Sequence, residues 1–309
     1  MKIYHTLESF EPLPNAIVTS GTFDGVHQGH SKILSRLTEV AEQQQGETVV
    51  LTFWPHPRMV VSEDSHGLQL LSTIEEKTEL FRHLKIDHLI ISPFTRAFSE
   101  LSPTEFIQQV LVDKIGTKRF VIGYDHRFGR YREGGFDFLQ KVAPNYGIKV
   151  EEIPQQDIDA LAISSTRIRK ALLAGDVQEA SYLLGRPYQF SGVVVKGKQL
   201  GRTLGYPTAN IEIKENYKLI PANGVYAVKI QHRHNTYNGM LNIGIRPTVD
   251  GTSRTIEVNI FDFDQDIYGE RLTVELVAYL RPEMKFENLD QLISQIIKDK
   301  VEAAEWLAG

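Results

Sequence analysis

Cysteine is absent from this 309-residue sequence. Without it the chain has no disulfide framework, no thiolate zinc site and no cysteine nucleophile, and the absence suits a reducing compartment. No apolar run approaches the length of a membrane span, and the opening stretch MKIYHTLESFEPLP has no hydrophobic core of signal-peptide length. We therefore expect a cytoplasmic protein that has no membrane partner.

An excess of positive charge is missing as well. The sequence has 34 Lys and Arg against 39 Asp and Glu, which gives a formal net charge of −5. Proteins that bind nucleic acid neutralise its phosphates with Lys and Arg, so this balance disfavours a nucleic-acid partner. The length exceeds what one typical core needs and favours two domains.

From residue 15 to about residue 154, short apolar runs alternate with segments of helical spacing. The strand-like runs are AIVTS, ETVVLTF, DHLIISPF, KRFVIGY and IKVEEIP, apolar enough to be buried on both faces of a sheet. Ser72-Thr73 followed by Glu75-Glu76, and Ser102-Pro103 followed by Glu105, predict helix starts of the capping-box kind. This alternation predicts an α/β domain with a doubly wound, Rossmann-like parallel sheet.

Two short helical segments follow, STRIRKALLAG and DVQEASYLLG, and beyond Pro187 the helical pattern stops. Six strand-like runs broken by Gly, Asn and Pro then lead to one amphipathic segment, NLDQLISQIIKDKVEAAEWLAG. Short strands at this spacing predict an all-β, six-stranded antiparallel barrel with a C-terminal helix. We therefore predict two domains, residues 1–186 and 187–309.

The stretch GTFDGVHQGH joins the first long strand-like run to a helical segment. His27 and His30 are three residues apart, so a helix would place both imidazoles on one face, next to its free N-terminal amides. Gly21, Gly25 and Gly29 allow the backbone to approach a ligand closely. This pattern favours a phosphate cradle over the two alternatives, surface histidines after a Asp-Gly turn and a metal site.

GTFDGVHQGH resembles the signature of the HxGH nucleotidylyltransferases. GYDHRFG (Gly123–Gly129) and ISSTRIR (Ile163–Arg169) are similar to further motifs of the bifunctional riboflavin kinase/FMN adenylyltransferases, also called FAD synthetases. In the second half GRTLGYPTANI, GVYAV, NIGIRPT and FDFDQDIYGERLTVELVAYLRPEMKF resemble the riboflavin kinase module of the same family. The resemblance covers nearly the whole chain, with the motifs in the family's order.

For the first half this resemblance implies that FMN is adenylated by ATP to give FAD and pyrophosphate. His27 and His30 would be catalytic, donating hydrogen bonds to the triphosphate as its charge grows. The resemblance assigns ATP and phosphate binding to Gly21, Phe23, Asp24, Gly29, Ser165, Thr166 and Arg167. A serine N-cap followed by two solvated arginines is the alternative interpretation of the ISSTRIR segment.

The same resemblance places FMN near the ends of two strands, where ligands of α/β sheets bind. Its predicted flavin contacts in this half are Pro55, His56, Asp125 and Arg127. Two simpler interpretations stay open: FWPHPR as an aromatic-proline turn on the core, and Asp125 with Arg127 as a surface ion pair.

The second half has no Walker A sequence, although the resemblance implies that it phosphorylates riboflavin with ATP. The predicted ATP contacts of this kinase half are Gly201, Arg202, Gly205 and Pro207. Thr208 and Asn210 offer hard oxygen ligands for Mg²⁺, and an ordinary turn is the alternative for that stretch. Glu257 is the candidate catalytic base, although a solvated outer strand face would explain it too.

Arg281 and Glu283, in LRPEMKF, resemble residues that border the flavin in this kinase half, with a surface pair as the alternative. Three positions depart from the family pattern. His126 stands where Phe is usual, Asn259 where His is frequent, and Ser31 where Gln is common. His126 puts flavin stacking at the adenylation site in question.

These observations lead to the hypothesis of a two-module enzyme of FAD biosynthesis. Its co-substrate is ATP with Mg²⁺, its substrates and products are riboflavin, FMN and FAD, and self-association is left open. The alternatives are an adenylyl- or cytidylyltransferase for another acceptor, a flavin-sensing regulator without turnover, and a nucleic-acid-binding barrel.

Overall fold

The computed structural model describes residues 1–62, 67–153, 163–197, 201, 205–248 and 251–308. The chain folds as two compact units, Met1–Ser165 and Thr166–Gly309. The sequence predicts a domain boundary between residues 186 and 187. The two compact units are distinguished by their internal contacts, which do not test that boundary, so it stays a prediction.

The first unit is built on a six-stranded sheet in which every neighbouring pair of strands is parallel. Its strands are β1 Lys2–Tyr4, β2 Ala16–Ser20, β3 Glu47–Trp54, β4 His88–Pro93, β5 Thr117–Gly123 and β6 Lys149–Ile153. All five residues of β2 are buried, as its apolar sequence predicts for a central strand. The predicted Rossmann-like sheet is therefore confirmed. β1 was not predicted, because a strand of three residues is too short to show a recognisable sequence pattern.

Helices connect these strands, and two of them begin at the predicted capping boxes. They are α1 Gln28–Gln44, α2 Pro57–Val61, α3 Ile74–His83, α4 Arg96–Ser99, α5 Pro103–Glu105 (continued by a π-helix, Phe106–Ile115) and α6 Phe136–Val142. Thr73 with Glu76, and Ser102 with Glu105, each form both hydrogen bonds of a capping box. These reciprocal bonds satisfy backbone N–H groups that the first turn of a helix leaves unpaired.

The strand order is β1-β4-β3-β2-β5-β6. From β2 the chain runs to one side of the sheet through β3 and β4, and it then returns to place β5 on the other side of β2. The order therefore reverses between β2 and β5. In an open parallel sheet the crevice at such a reversal, beyond the carboxyl ends of the strands, is where ligands bind.

The second unit is a closed barrel of antiparallel strands in the order β10-β11-β8-β7-β12-β9. The strands are β7 Gln189–Val195, β8 Ala209–Glu212, β9 Gly224–His232, β10 Asn235–Thr248, β11 Gly251–Ile260 and β12 Arg271–Arg281. The final helix, α9 Leu289–Ala308, packs on β9, β10 and β12. The predicted six-stranded barrel with a C-terminal helix is confirmed.

Two short helices precede the barrel, α7 Ser165–Ala174 and α8 Val177–Leu184. Asp176 caps α8, since its carboxylate accepts the backbone N–H of Glu179 at 2.9 Å. The pair packs on the second unit: the N–H of Ala222 donates to the carbonyl of Leu172 at 2.9 Å, and Gly175 lies against the Tyr279 ring.

A buried ion pair fastens α9 to the barrel. Arg281, at the end of β12, donates from Nε to Oδ1 of Asp299 at 2.8 Å and from Nη2 to Oδ2 at 2.7 Å. Asp299 is only 3% exposed, and Gln295 donates a further hydrogen bond to its Oδ1. A bidentate pair of this kind fixes orientation as well as distance.

We expect Asp299→Ala to destabilise the second unit by about 3 kcal/mol or more, because it leaves a guanidinium buried without its carboxylate. Urea unfolding followed by circular dichroism measures the change. The matched control is Glu302→Ala on the exposed face of α9, which should change stability by less than about 0.5 kcal/mol. Equal effects of the two substitutions would contradict a structural role for the pair.

Candidate active sites

The turn between β2 and α1 has an unusual backbone. Phe23 has φ +47°, Gly25 has φ +79° and Val26 has φ +39°. Bulky and β-branched residues seldom adopt positive φ, so surrounding structure must hold this turn in place. An ideal Cβ on Gly21 would lie 3.2 Å from the Phe23 ring, which explains the small residue there.

Asp24 is the centre of the contacts that hold the turn. Its Oδ1 accepts the backbone N–H groups of Leu71 at 2.9 Å and of Ser72 at 3.3 Å. The Ser72 hydroxyl in turn accepts the N–H of Gly25 at 3.1 Å, and the Ser165 hydroxyl donates to the Asp24 carbonyl at 3.0 Å. Asp24 and Ser165, both predicted to bind ATP, therefore have structural partners inside the unit.

Lys77, on α3, makes a further contact with the turn that the sequence did not single out. Its ammonium donates to the Thr22 carbonyl at 2.6 Å, and the residue is only 5% exposed. Burial lowers the pKa of Lys77 to about 8, while the charge of Asp24 acts in the opposite direction. The sequence around Lys77, a Thr-x-x-Glu-Lys helix start, is also typical of a solvent-exposed lysine. The burial of Lys77 therefore could not be predicted from it.

His27 and His30 come together at the start of α1, as their spacing predicts. His27 is the N-cap, and its Nδ1 accepts the backbone N–H of His30 at 3.4 Å. The two imidazoles stack with centroids 3.7 Å apart and 15° between their planes, and Phe23 packs edge-on against His30. Stacked imidazoles next to the amides of a 17-residue helix form a site suited to an anion.

The two alternatives for this motif fit the geometry less well. His27 is buried, so the motif is not an exposed turn with two surface histidines. Among the residues that the structure describes, no cluster of three or more His, Cys, Asp or Glu could hold a metal ion. Gly29, in the first turn, is buried at the same end of the helix.

Across the crevice, the end of β5 presents Asp125, His126 and Arg127. Asp125 and Arg127 are exposed, and Arg127 donates to the carbonyl of His126 at 2.8 Å. The His126 ring is partly buried, with Nε2 3.4 Å from the Ser20 hydroxyl at the end of β2. Burial above all, and then the charges of Arg127 and Arg132, lower the pKa of His126 to about 4, so it is neutral near pH 7.

A row of phenylalanine rings, which sequence reasoning missed, runs along the same edge of the sheet. Phe53 packs against Phe94 and Phe98 at 5.5 and 5.4 Å between centroids, Phe98 against Phe106 at 6.2 Å, and Phe106 against Phe128 at 5.1 Å. His126 stacks on Phe128 at 5.8 Å and thereby ends the row. In the sequence, an aromatic residue occurs at or after the end of each of the strands β3, β4 and β5. Only the strand order shows that these residues form one row.

The remaining predicted residues of this site have mixed surroundings. Pro55 is exposed, while His56 is buried and caps α2, its Nδ1 accepting the N–H of Arg58 at 3.2 Å. Arg167 is exposed and forms an ion pair with Glu179 on α8. Thr166 and Arg167 belong to the second unit, so their contact with phosphate stays a prediction.

In the second unit, three of the predicted kinase residues converge. Asn210 on β8 lies opposite Glu257 on β11, and the Thr208 hydroxyl donates to Oε2 of Glu257 at 3.3 Å. Asn242 of the NIGIRPT motif lies opposite Glu257 on its other side, in β10. Directly opposed residues of antiparallel strands have Cβ atoms about 5 Å apart, so the glutamate is flanked by two amides.

Two glycines that precede β8 lie close to other atoms of this site. An ideal Cβ on Gly197 would lie 2.2 Å from the Asn210 amide, and one on Gly201 would lie 2.3 Å from the Tyr206 carbonyl. Gly205 has φ +80°, and Pro207 accepts a hydrogen bond from the Asn259 amide at 2.7 Å. Arg202 lies outside the described residues.

Arg281 and Glu283 have separate partners rather than each other. Arg281 is engaged by Asp299, as described above. Oε2 of Glu283 accepts the N–H of Ile245 at 3.3 Å and the amide of Asn223 at 3.4 Å. A flavin contact of either side chain stays a prediction.

Comparisons with known proteins agree with this arrangement. The family model described as FAD synthetase matches residues 10–167, and the one described as riboflavin kinase matches residues 184–307. Proteins named bifunctional riboflavin kinase/FMN adenylyltransferase are similar over nearly the whole chain. The one from Haemophilus influenzae is 40% identical, covering 95% of this chain and 94% of its own, and that from Listeria monocytogenes is 39% identical, covering 95% and 93%.

A solved structure has the same fold throughout. It is a crystal structure from Streptococcus pneumoniae described as a macrolide-efflux protein, with a TM-score of 0.89, 32% identity and 99% of each chain covered. In the part of this chain that the structure describes, none of the helices combines the length and the apolar character that crossing a membrane requires.

We expect the acid side of the stability curve to depend on His126. Unfolded, this imidazole takes up a proton near pH 6.5, whereas folded it does so only near pH 4. The unfolded state therefore binds more protons in that window, and the free energy of unfolding falls as the pH falls through it. His126→Phe should make this decline shallower, as measured by urea unfolding from about pH 7 to about pH 4.

The exposed His5 provides the matched control. The decline should be shallower in His126→Phe than in His5→Phe. Equal slopes for wild type and His126→Phe would mean that folding does not lower the pKa of His126.

Proposed function

The chain belongs to the family of bifunctional riboflavin kinase/FMN adenylyltransferases, and on that premise we propose which residues of each unit carry its two reactions. The enzyme phosphorylates riboflavin to FMN in its second half and adenylates FMN to FAD, with release of pyrophosphate, in its first half. The observation that carries the residue assignment is the stacked pair His27 and His30 at the N-terminus of α1.

In adenylation, an oxygen of the FMN phosphate attacks the α-phosphorus of ATP, and the bond to the pyrophosphate oxygen breaks. Negative charge grows on the oxygens between the attacking and leaving groups. The His27 and His30 imidazoles and the free amides of α1 are preorganised donors for that charge. The reaction needs no covalent intermediate, which is consistent with a chain that lacks cysteine.

We assign the flavin ring to the edge of the sheet that carries the phenylalanine row. A flat aromatic ring packs well against the partly exposed rings of this row, Phe53 and Phe98, whereas Phe128 is buried in the core. The neutral His126 ring stacks on Phe128 and supplies an aromatic face without adding a positive charge. Asp125 and Arg127 at the same edge are exposed to an incoming ligand.

In phosphorylation, the ribityl hydroxyl of riboflavin attacks the γ-phosphorus of ATP while Glu257 takes its proton, and ADP leaves. Strand pairing holds this carboxylate between Asn210 and Asn242, so its direction is fixed. A base in a defined position typically contributes ~10²–10⁴-fold to the rate.

The residues next to Glu257 fit Mg²⁺. The Thr208 hydroxyl directs its proton toward Glu257, which leaves the lone pairs of its oxygen for a cation. Asn210 adds a neutral carbonyl oxygen, and Mg²⁺ commonly combines one or two protein oxygens with substrate phosphates and water. When bound, the ion neutralises part of the phosphate charge. We also retain the cytoplasm, where ATP is made, as the proposed location.

Two substitutions should separate the two activities. His30→Ala should lower FAD formation by ~10²–10³ because it removes a donor to the transition state, while FMN still accumulates from riboflavin. Glu257→Gln should lower riboflavin phosphorylation by ~10²–10⁴, while supplied FMN is still converted to FAD. Chromatography of riboflavin, FMN and FAD measures both.

His83→Ala, at an exposed histidine of α3, and Glu275→Gln, on β12, are the matched controls and should leave both activities within about twofold of wild type. If His30→Ala and Glu257→Gln each abolished both reactions in folded protein, the assignment of one reaction to each unit would fail.

Asn210→Ala should raise the Mg²⁺ concentration needed for half-maximal riboflavin phosphorylation by about tenfold or more, since it removes an oxygen ligand. The Mg²⁺ requirement of FAD formation from supplied FMN, titrated in the same preparation, should stay constant. An unchanged requirement for phosphorylation would place the metal elsewhere.

A further inference from the structure

Lys77 is a buried lysine whose ammonium donates a hydrogen bond to a backbone carbonyl. It is 5% exposed, and its ammonium donates to the Thr22 carbonyl at 2.6 Å. Removing an ammonium from water is unfavourable, and an apolar side chain of similar length would fill the same space without that penalty. The charge therefore needs a reason beyond packing.

Asp24 supplies the reason. Its carboxylate is 3% exposed and lies in the turn that leads to His27 and His30. A buried carboxylate there would repel the triphosphate that the helix terminus attracts. Asp24 is the acid whose charge acts on Lys77. Glu76, the neighbouring acid on α3, accepts the backbone N–H of Thr73 at the helix cap.

We infer that Lys77 is a positioning residue of the adenylation reaction: its ammonium holds the Thr22 carbonyl and offsets the charge of Asp24, so that the turn presents no net negative charge to ATP. The inference rests on the proposed function of the first unit. It assigns Lys77 no contact with substrate, and it makes the α3 terminus, through Ser72 and Lys77, part of the ATP site.

A second buried lysine, Lys218, lies in the other unit and provides a comparison. Lys218 is 2% exposed, donates to the Gln189 carbonyl at 2.9 Å and lies over the Tyr188 ring at 4.6 Å. Lys77 and Lys218 thus share burial and a carbonyl partner. Lys218→Met is therefore a matched control for Lys77→Met in the full-length protein.

The first experiment measures FAD formation from supplied FMN, with riboflavin phosphorylation by the same preparation as the internal control. Lys77→Met should raise the KM for ATP by about tenfold or more, because the charge of Asp24 is then no longer offset, and should change the KM for FMN by less than about threefold. Riboflavin phosphorylation should stay within about twofold of wild type. Lys218→Met should leave the adenylation constants unchanged.

Two further variants separate charge from hydrogen bonding. Lys77→Gln retains a donor for the Thr22 carbonyl but has no charge, and it should behave like Lys77→Met; Lys77→Arg keeps the charge and should restore most of the ATP affinity. Adding Asp24→Asn to Lys77→Met removes the offending charge while keeping an Oδ1 acceptor for the Leu71 and Ser72 N–H groups. The double variant should bind ATP more tightly than Lys77→Met alone.

The inference is overturned if Lys77→Gln adenylates FMN like wild type, if Lys77→Met and Lys218→Met alter adenylation equally, or if Asp24→Asn brings no recovery. Near-ultraviolet circular dichroism shows whether the Lys77→Gln first unit is folded, and the Asp24→Asn comparison applies even if Lys77→Met is destabilised. A wild-type protein that makes no FAD would instead refute the proposed function.

Discussion

The turn from β2 into α1 is the constraint on which the first active site depends. A backbone with positive φ at Phe23 and Val26 does not persist by itself, and its geometry decides where the amides of α1 and the two imidazoles point. The contacts that hold it come from a segment almost fifty residues further along the chain, through the backbone at Leu71 and Ser72. Local strain is thus stabilised by tertiary hydrogen bonds, which hold the groups that we propose to bind the phosphates.

The barrel solves the corresponding problem by strand register. Glu257 needs no strained turn, because pairing with β8 and β10 fixes the amides on either side of it. In a closed barrel every strand has two neighbours, so the register cannot slip at one strand without disturbing the others. One unit therefore orients its proposed catalytic groups through a strained loop, and the other through regular strand pairing.

Much of this could be predicted from the sequence, and the reasons are local. The β-branched runs and the capping boxes at Thr73 and Ser102 act within a few residues, so their patterns can be recognised in the sequence. The three-residue strand β1 could not be predicted, since it exists only because β4 offers a parallel edge. The pairing of His27 with His30 was predictable because three residues of helix fix it.

The contributions that sequence reasoning missed all act across long separations. Lys77 and Thr22 are 55 residues apart in the chain. The position of Asn242 next to Glu257 depends on the register between β10 and β11, which the sequence does not show. The phenylalanine row joins the ends of strands whose order no pattern reveals. The partner of Arg281, Asp299 on α9, likewise lies at a distance that no motif reveals, while the flavin contact that the family motif implies for Arg281 stays a prediction.

The packing of α7 and α8 has a practical consequence for anyone who dissects the molecule. Leu172 accepts the Ala222 N–H, and Gly175 lies against Tyr279, so these helices complete the surface of the barrel. A kinase half expressed from residue 187 would lose that cover and expose apolar surface around Tyr279. A cut near residue 165 would keep this cover on the barrel, but it would separate Thr166 and Arg167, the predicted phosphate contacts, from the first unit.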